Sequence, residues 1–165
     1  MPSGVIDVAA GLVERNGLIL ITQRKQGSHL AGLWEFPGGK REPSETWQDC
    51  LIRELQEELA ITVTVGELRY ETIHHYPEKS VQLRFYAAAL ISGEPQPIDC
   101  AAVAWVCPKN LADYSFPRPI GSWWPCWLAD RTSCFWPLPG HAQKRRPDRL
   151  PENQSGTILR PWQRN

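Results

Sequence analysis

The sequence GGKREPSETWQDCLIRELQEELAI, residues 38–61, decides the fold because it joins a glycine pair to the clearest helix in the chain. The two glycines allow a tight turn that can point backbone groups at a ligand. After Thr46 no Gly or Pro occurs up to residue 61, and Thr46 with Asp49 three residues later forms a weak capping box. The stretch therefore predicts a glycine-led loop followed by a helix.

Two neighbouring faces of this predicted helix differ in chemistry. Glu54, Glu57 and Glu58 are spaced at i, i+3 and i+4, so their carboxylates share one face. The neighbouring arc is apolar and is expected to pack on the core; it consists of Leu51, Ile52, Leu55 and Leu59. Like charges at this spacing destabilise an isolated helix by a few tenths of a kcal/mol. A hard divalent cation would offset that repulsion, whereas the alternative is a solvated, salt-bridged face.

The constrained positions also follow a known spacing. Gly39 is followed by five residues and Glu45, and then by seven residues and the run RELQEE at residues 53–58. This pattern resembles the signature of the Nudix hydrolases, and WEFPGGK at residues 34–40 resembles the MutT branch of that family. Ala60 stands where the family usually has Gly. That departure concerns the loop after the helix and not the metal site.

The resemblance implies an α/β/α sandwich with a mixed sheet. The chain itself predicts strands at residues 5–13, 18–22, 61–65, 68–75, 81–91 and 102–106 and a helical turn at 108–113, and the resemblance implies a short strand within 33–37. Asn16-Gly17 between the first two strands is a strong hairpin signal. Strands around a central helix, without regular βαβ repeats, likewise indicate a mixed sheet between helices.

Composition limits the class of protein and its surroundings. The 165 residues suffice for one domain, and the formal charge of zero gives no overall field for nucleic acid or membrane. The first residues lack the pattern of a signal peptide or membrane span. Five cysteines without a CxxC pair are typical of reduced thiols. We therefore expect a cytoplasmic protein, monomeric or homodimeric, with no membrane contact and no stable nucleic-acid partner.

Beyond about residue 116 the composition changes. We expect the hydrolase domain to span residues 1–120. Residues 121–165 form an atypical Trp/Pro-rich and basic segment, largely disordered from about residue 137, so the C-terminal helix implied by the resemblance is altered or truncated. Residues 141–165 carry a net charge of +4, which could serve nucleic acid or anionic lipid. The favoured interpretation is a solvated tail.

The resemblance also implies a metal site. Its Mg²⁺, with Mn²⁺ as a possible substitute, would be held by Glu54, Glu57 and Glu58 and by the carbonyl of Gly38. Glu54, or an acid later in the chain, would deprotonate the attacking water. Arg53 is better suited to orient a glutamate by bidentate pairing than to bind substrate. Glu45 is expected to brace that network instead of coordinating metal.

Two further positions match catalytic residues of the MutT branch. Lys40 follows the glycines and would meet phosphate, and the alternative is a surface lysine. Asp99 precedes Trp105 by six residues, where relatives have a longer acid, Glu. The alternative for Asp99 is a solvated aspartate in a turn.

The substrate-binding positions are carried over in the same way. Arg24 and Tyr76 match residues that line the substrate cleft of the MutT branch, and Lys79 matches a basic residue on the phosphate side. Phe36 could flank the base, and the alternative is a core phenylalanine.

The activity implied is hydrolysis of a nucleoside triphosphate to a monophosphate and pyrophosphate, with oxidised purines such as 8-oxo-dGTP as substrates, a role in sanitising nucleotides for DNA repair. One element of that pattern is missing: Phe116-Pro117 is normally followed three positions on by an Asn or Asp that reads the purine, and here Arg118-Pro119-Ile120 follows. Three alternatives stay open. They are a pyrimidine or broad-specificity pyrophosphatase, a non-catalytic Nudix base-recognition module, and an inactive hydrolase with an altered C-terminus.

Overall fold

The computed structural model describes residues 4–77 and 79–117. They form seven strands, one α-helix and one 3₁₀ helix. In chain order these are β1 (Val5–Arg15), β2 (Leu18–Gln23), β3 (Trp34–Glu35), β4 (Gly38–Lys40), α1 (Trp47–Leu59), β5 (Thr62–His75), β6 (Ser80–Ser92), β7 (Ala102–Val106) and the 3₁₀ helix Pro108–Asp113.

The strands make one mixed sheet in the order β3-β2-β1-β6-β5, with β4 pairing β1 and β7 pairing β2. Strands β1 and β6 run parallel, and every other pairing is antiparallel. The predicted hairpin between β1 and β2 turns at Asn16 and Gly17, which both have positive φ. The mixed sheet expected from the sequence is therefore confirmed.

One predicted boundary is wrong. The sequence suggested separate strands at residues 61–65 and 68–75, whereas the structure has the single long strand β5. Gly66 and Glu67 do not form a turn between two strands. The pairing of β5 with β6 shifts register around Leu68 instead, which is how a β-bulge absorbs extra residues without ending a strand.

The core has a cluster on each face of the sheet, and β1 contributes to both by alternation. Ala9 and Val13 lie in the cluster that includes the buried leucines of α1. Ala10 and Leu12 lie in the other cluster, together with Phe36, Phe85 and aromatic residues that follow β7. The helix and its carboxylates therefore lie on one face of the sheet, and an aromatic core fills the other.

Helix α1 begins as predicted. Thr46 is the N-cap, and its hydroxyl accepts a hydrogen bond from the Asp49 N–H at 3.1 Å. Leu51, Leu55 and Leu59 are fully buried, as is Cys50, whose Sγ lies 3.7 Å from the carbonyl oxygen of Gly39.

The prediction that Ile52 packs on the core is wrong, because 39% of this residue is exposed. The helix also packs against β4, so its buried side includes Cys50. Ile52 is left toward solvent.

Ala60 ends α1 in the left-handed region, with φ 55° and ψ 35°. A residue with a Cβ is strained in this conformation by about 1–2 kcal/mol, and glycine avoids that strain. We expect Ala60→Gly to raise the free energy of unfolding by about 1 kcal/mol and Tm by roughly 2–4 °C. Thermal unfolding measures the effect. Ala60→Ser keeps the Cβ and is the control, and an Ala60→Gly variant no more stable than it would contradict the interpretation.

Several expectations fall on residues 118–165, namely the altered C-terminal helix, the disordered tail and its basic charge, and these lie outside the described residues. Among the described cysteines, Cys50 and Cys100 are free thiols. Within the described ranges no helix is long and apolar enough to cross a membrane.

Candidate active site

The glycine pair forms strand β4, where Gly38 and Gly39 pair with Ala10 and Ala9 of β1. Gly38 has φ 151°, and a Cβ there would come closer than 3.0 Å to the backbone oxygen of Ala9. The close approach of the two backbones thus requires glycine at position 38. It places the start of the signature loop beside the face of the sheet on which α1 packs.

Gly39 makes room for a carboxylate. A Cβ at this position would come closer than 3.0 Å to the carboxyl carbon and both carboxyl oxygens of Glu54. The Glu54 side chain is 14% exposed and therefore lies directly on the Gly39 backbone. This contact fixes Glu54, the first of the three clustered glutamates, against β4.

Arg53 organises the acids around it. Its Nε and Nη2 donate to the two carboxyl oxygens of Glu45 at 3.1 and 2.7 Å, which is the bidentate pairing predicted from the sequence. Its Nη1 donates to Glu54 Oε1 at 3.0 Å and to Glu57 Oε2 at 3.2 Å, and its Nη2 also donates to the Lys40 carbonyl at 3.2 Å. Arg53 lowers the pKa of Glu45 to about 2. Glu45 is therefore an ionised brace for Arg53.

A second group of acids meets at the C-terminal end of α1. The segment after β6 docks there, because the N–H groups of Ile98 and Asp99 donate to the Glu58 carbonyl at 3.1 and 3.4 Å. Burial raises the pKa of Glu58 to about 7, and the negative charges of Glu54, Glu35 and Asp99 add to the effect. Glu54, Glu35 and Asp99 are therefore each close enough to Glu58 to repel its charge.

This arrangement fits a divalent cation. Carboxylate and carbonyl oxygens are the ligands that hard cations prefer, and a cation would offset the repulsion that adds to the effect of burial on the pKa of Glu58. Among residues 4–77 and 79–117, no three Asp, Glu, His or Cys side chains are already arranged as a ligand set. Arg53 holds Glu54 and Glu57, so a cation would compete with it for these two carboxylates.

The structure brings some predicted residues to this site and keeps others away. Arg24 lies beside it, with Nη1 donating to Glu35 at 2.7 Å and Nε to the His29 carbonyl at 2.6 Å. Asp99 is an ion-pair partner of Lys25. Lys40 is on β4, with an exposed side chain.

Tyr76 and Lys79 lie in the turn of the β5–β6 hairpin, where the Tyr76 N–H donates to the Lys79 carbonyl at 2.8 Å. The adjoining residue Ser80 pairs with Val5 of β1, whereas Gly39 pairs with Ala9. That offset of four residues corresponds to about 13 Å along the strand. The described residues therefore do not bring this turn to the carboxylates.

Phe36 is 5% exposed and belongs to the aromatic core. Its ring lies 5.4 Å from that of Phe116 and 6.0 Å from that of Phe85, measured between centroids. This placement supports the core alternative for Phe36. It leaves little of the ring for a base.

Two residues of the site were missed at the level of sequence. Glu35 could have been found by alternation, because Trp34 and Phe36 both join the aromatic cluster and the residue between them must face the helix side. Lys25 gives no local signal. It reaches the site only because Asp99, 74 positions away in sequence, is brought next to it.

Comparison with known proteins agrees with this geometry. A family model described as NUDIX domain matches residues 8–124. The CTP pyrophosphohydrolase of Escherichia coli (strain K12) is 38% identical over 110 residues, which is 67% of this chain and 82% of that protein. The 8-oxo-dGTP diphosphatase of Proteus vulgaris is 42% identical over 82 residues, which is 49% of this chain and 73% of that protein.

A solved structure shares the fold. The solution structure of the E. coli ORF135 protein matches with a TM-score of 0.67 and 34% sequence identity, covering 78% of this chain and 91% of that one. The family model spans well over half of the sequence and includes strand β4, helix α1 and Asp99. The chain therefore belongs to the Nudix hydrolase family, as one of its MutT-like members.

Proposed function

We propose that this chain is a Mg²⁺-dependent nucleoside triphosphate pyrophosphohydrolase that acts on oxidised purine nucleotides, converting 8-oxo-dGTP to 8-oxo-dGMP and pyrophosphate. The observation that carries the proposal is the Glu54 carboxylate, which lies on the Gly39 backbone, is held by Arg53, and is close enough to Glu58 to repel its charge. The relatives support the choice of substrate, since they include an 8-oxo-dGTP diphosphatase and a CTP pyrophosphohydrolase. A non-catalytic binding module would have no use for this repulsive acid cluster.

The metal would be held by Glu54, Glu57 and Glu58 together with the Gly38 carbonyl. When bound, Mg²⁺ neutralises charge on the diphosphate and lowers the pKa of a coordinated water. The family generally uses divalent metal ions, and Mn²⁺ is a chemically close substitute.

The chain's own residues position the reaction. Arg53 holds Glu54 through Oε1, which leaves Oε2 to accept a proton from the attacking water. The water oxygen forms a bond to phosphorus as the bond to the leaving bridging oxygen breaks, and pyrophosphate departs. Lys40 and Arg24 supply positive charge for the phosphate oxygens.

The proposal is tested by identifying products. We expect the purified chain with Mg²⁺ to release pyrophosphate and a nucleoside monophosphate from 8-oxo-dGTP, without inorganic phosphate. Excess EDTA should abolish release, and adding back Mg²⁺ or Mn²⁺ should restore it. Release of inorganic phosphate alone, or undiminished turnover in EDTA, would refute this function.

Base selection is expected to be weak. A purine read by a buried amide is discriminated because the wrong edge leaves that amide unpaired, at about 1–3 kcal/mol. Arg118 and Pro119 offer no such amide, and they lie outside the described residues. We therefore expect the ratio of kcat/KM for 8-oxo-dGTP to kcat/KM for dGTP to be well below about a thousand.

The measurement is the ratio of the two kcat/KM values at one Mg²⁺ concentration. CTP belongs in the same panel, because a relative is a CTP pyrophosphohydrolase. A ratio of several thousand would show that another group reads the oxidised purine. A higher kcat/KM for CTP than for 8-oxo-dGTP would favour the pyrimidine alternative.

A further inference from the structure

Lys25 stands next to the acid cluster, outside the family signature and without a role in the mechanism above. It follows strand β2, and its Nζ forms an ion pair with Asp99 Oδ1. Both side chains are about half exposed, 55% for Lys25 and 56% for Asp99. The ammonium group is therefore within reach of a ligand that approaches the acids from solvent.

The position of Lys25 is set by the backbone on both sides. The Ser28 N–H and hydroxyl both donate to the Lys25 carbonyl, at 3.3 and 2.7 Å. Residue Gln23 of β2 accepts from the Ala101 N–H at 2.8 Å, which joins β2 to the segment that carries Asp99. Lys25 and Asp99 thus face each other because two hydrogen-bonded segments meet, and not by chance proximity of two long side chains.

The charges around the Lys25–Asp99 ion pair indicate which kind of ligand Lys25 can bind. Asp99, and to a lesser degree Glu58, raise the pKa of Lys25, so Nζ lies in the field of Asp99 and of Glu58, one of the proposed metal ligands. A divalent cation held by Glu58 and the other proposed ligands would lie near Asp99, because Asp99 is close enough to Glu58 to repel its charge, and it would compete with Lys25 as the counter-ion of Asp99. Lys25 would then present an unneutralised positive charge beside the metal. Anionic oxygens of a phosphate chain are the group that satisfies it.

We propose that Lys25 is a further substrate-binding residue, which contacts the phosphate chain of the nucleoside triphosphate once a metal held by the neighbouring glutamates offsets the charge of Asp99. The inference rests on the proposed function. Without substrate, Lys25 neutralises Asp99 and keeps the acid in place. When metal and substrate are bound, the Lys25 ammonium group contacts the phosphate chain instead of Asp99.

Lys25→Met tests the proposal because it keeps the aliphatic stem and removes the charge. We expect KM for 8-oxo-dGTP to rise about tenfold, with kcat within about twofold of wild type, since a lost charge-assisted contact to the ground-state substrate weakens binding. Lys25→Arg should keep KM within about threefold. Lys109→Met is the matched control, because Lys109 is an exposed lysine beyond the other end of β7, and its KM should not change.

A second measurement separates phosphate binding from neutralisation of Asp99. Calorimetry with the non-hydrolysable α,β-methylene analogue of dGTP and Mg²⁺ gives Kd without turnover. We expect Lys25→Met to weaken Kd about tenfold in the wild-type and Asp99→Asn backgrounds alike. If the loss disappears in the Asp99→Asn background, Lys25 serves only Asp99 and the inference is wrong.

The two proposals can fail separately. A wild-type chain that releases no pyrophosphate from any triphosphate refutes the proposed function. An active wild type whose KM and Kd are unchanged by Lys25→Met overturns only the assignment of Lys25.

Discussion

Glu54→Gln is expected to lower kcat by about a hundredfold or more while leaving the fold intact, because loss of a metal ligand or its supporting contact costs this much. Gln keeps the size of the side chain and one carbonyl oxygen, which can still accept from Arg53 Nη1, now at 3.0 Å from Glu54 Oε1. The substitution removes the charge that we propose holds the metal and the base that we propose accepts a proton from the attacking water. Steady-state kinetics at saturating Mg²⁺ and 8-oxo-dGTP measure the effect.

The control for this variant is Glu67→Gln, which neutralises an exposed glutamate on β5. Its kcat should stay within about twofold of wild type. Matching circular dichroism and Tm would show that Glu54→Gln is folded. Full activity of folded Glu54→Gln would remove Glu54 from the site and with it the central carboxylate of the mechanism.

The helix and its carboxylates could be predicted from sequence because their signals are local. A cap at Thr46, the absence of Gly and Pro and a leucine stripe act within a few turns of one helix. The family spacing added the pairing of Arg53 with Glu45, eight positions apart on the loop and helix. Contacts of short range are the ones that a sequence pattern can encode.

The rest depends on which distant segments meet. The pair Lys25–Asp99 and the field of Glu35 on Glu58 exist because β2 pairs with both β3 and β7. No local sequence pattern determines the register of either strand pair. The same holds for Phe36, whose burial depends on Phe85 and Phe116. Sequence analysis therefore located the carboxylates on the helix, which local patterns determine, but not the neighbours that distant strands bring to them.

Gly39→Ala is expected to lower kcat by about a hundredfold with little loss of stability. The added Cβ would come closer than 3.0 Å to the Glu54 carboxylate, while the Gly39 backbone is outside the left-handed region and accepts alanine. Glu54 cannot simply turn away without breaking its contact with Arg53 Nη1. A displacement of about 1 Å at a reacting group costs about a hundredfold in rate.

Gly66→Ala is the matched control for this prediction. The nearest atom to a Cβ at Gly66 is the Ala87 oxygen at 3.5 Å, an ordinary van der Waals contact, so its kcat should stay within about twofold of wild type. Both variants are compared by kcat with 8-oxo-dGTP and by Tm. Wild-type kcat in folded Gly39→Ala would mean that the Glu54 carboxylate works away from the glycine strand. In that case Gly39 is constrained only by the packing of β4 against α1, and the metal site must be sought nearer to Glu58 and Asp99.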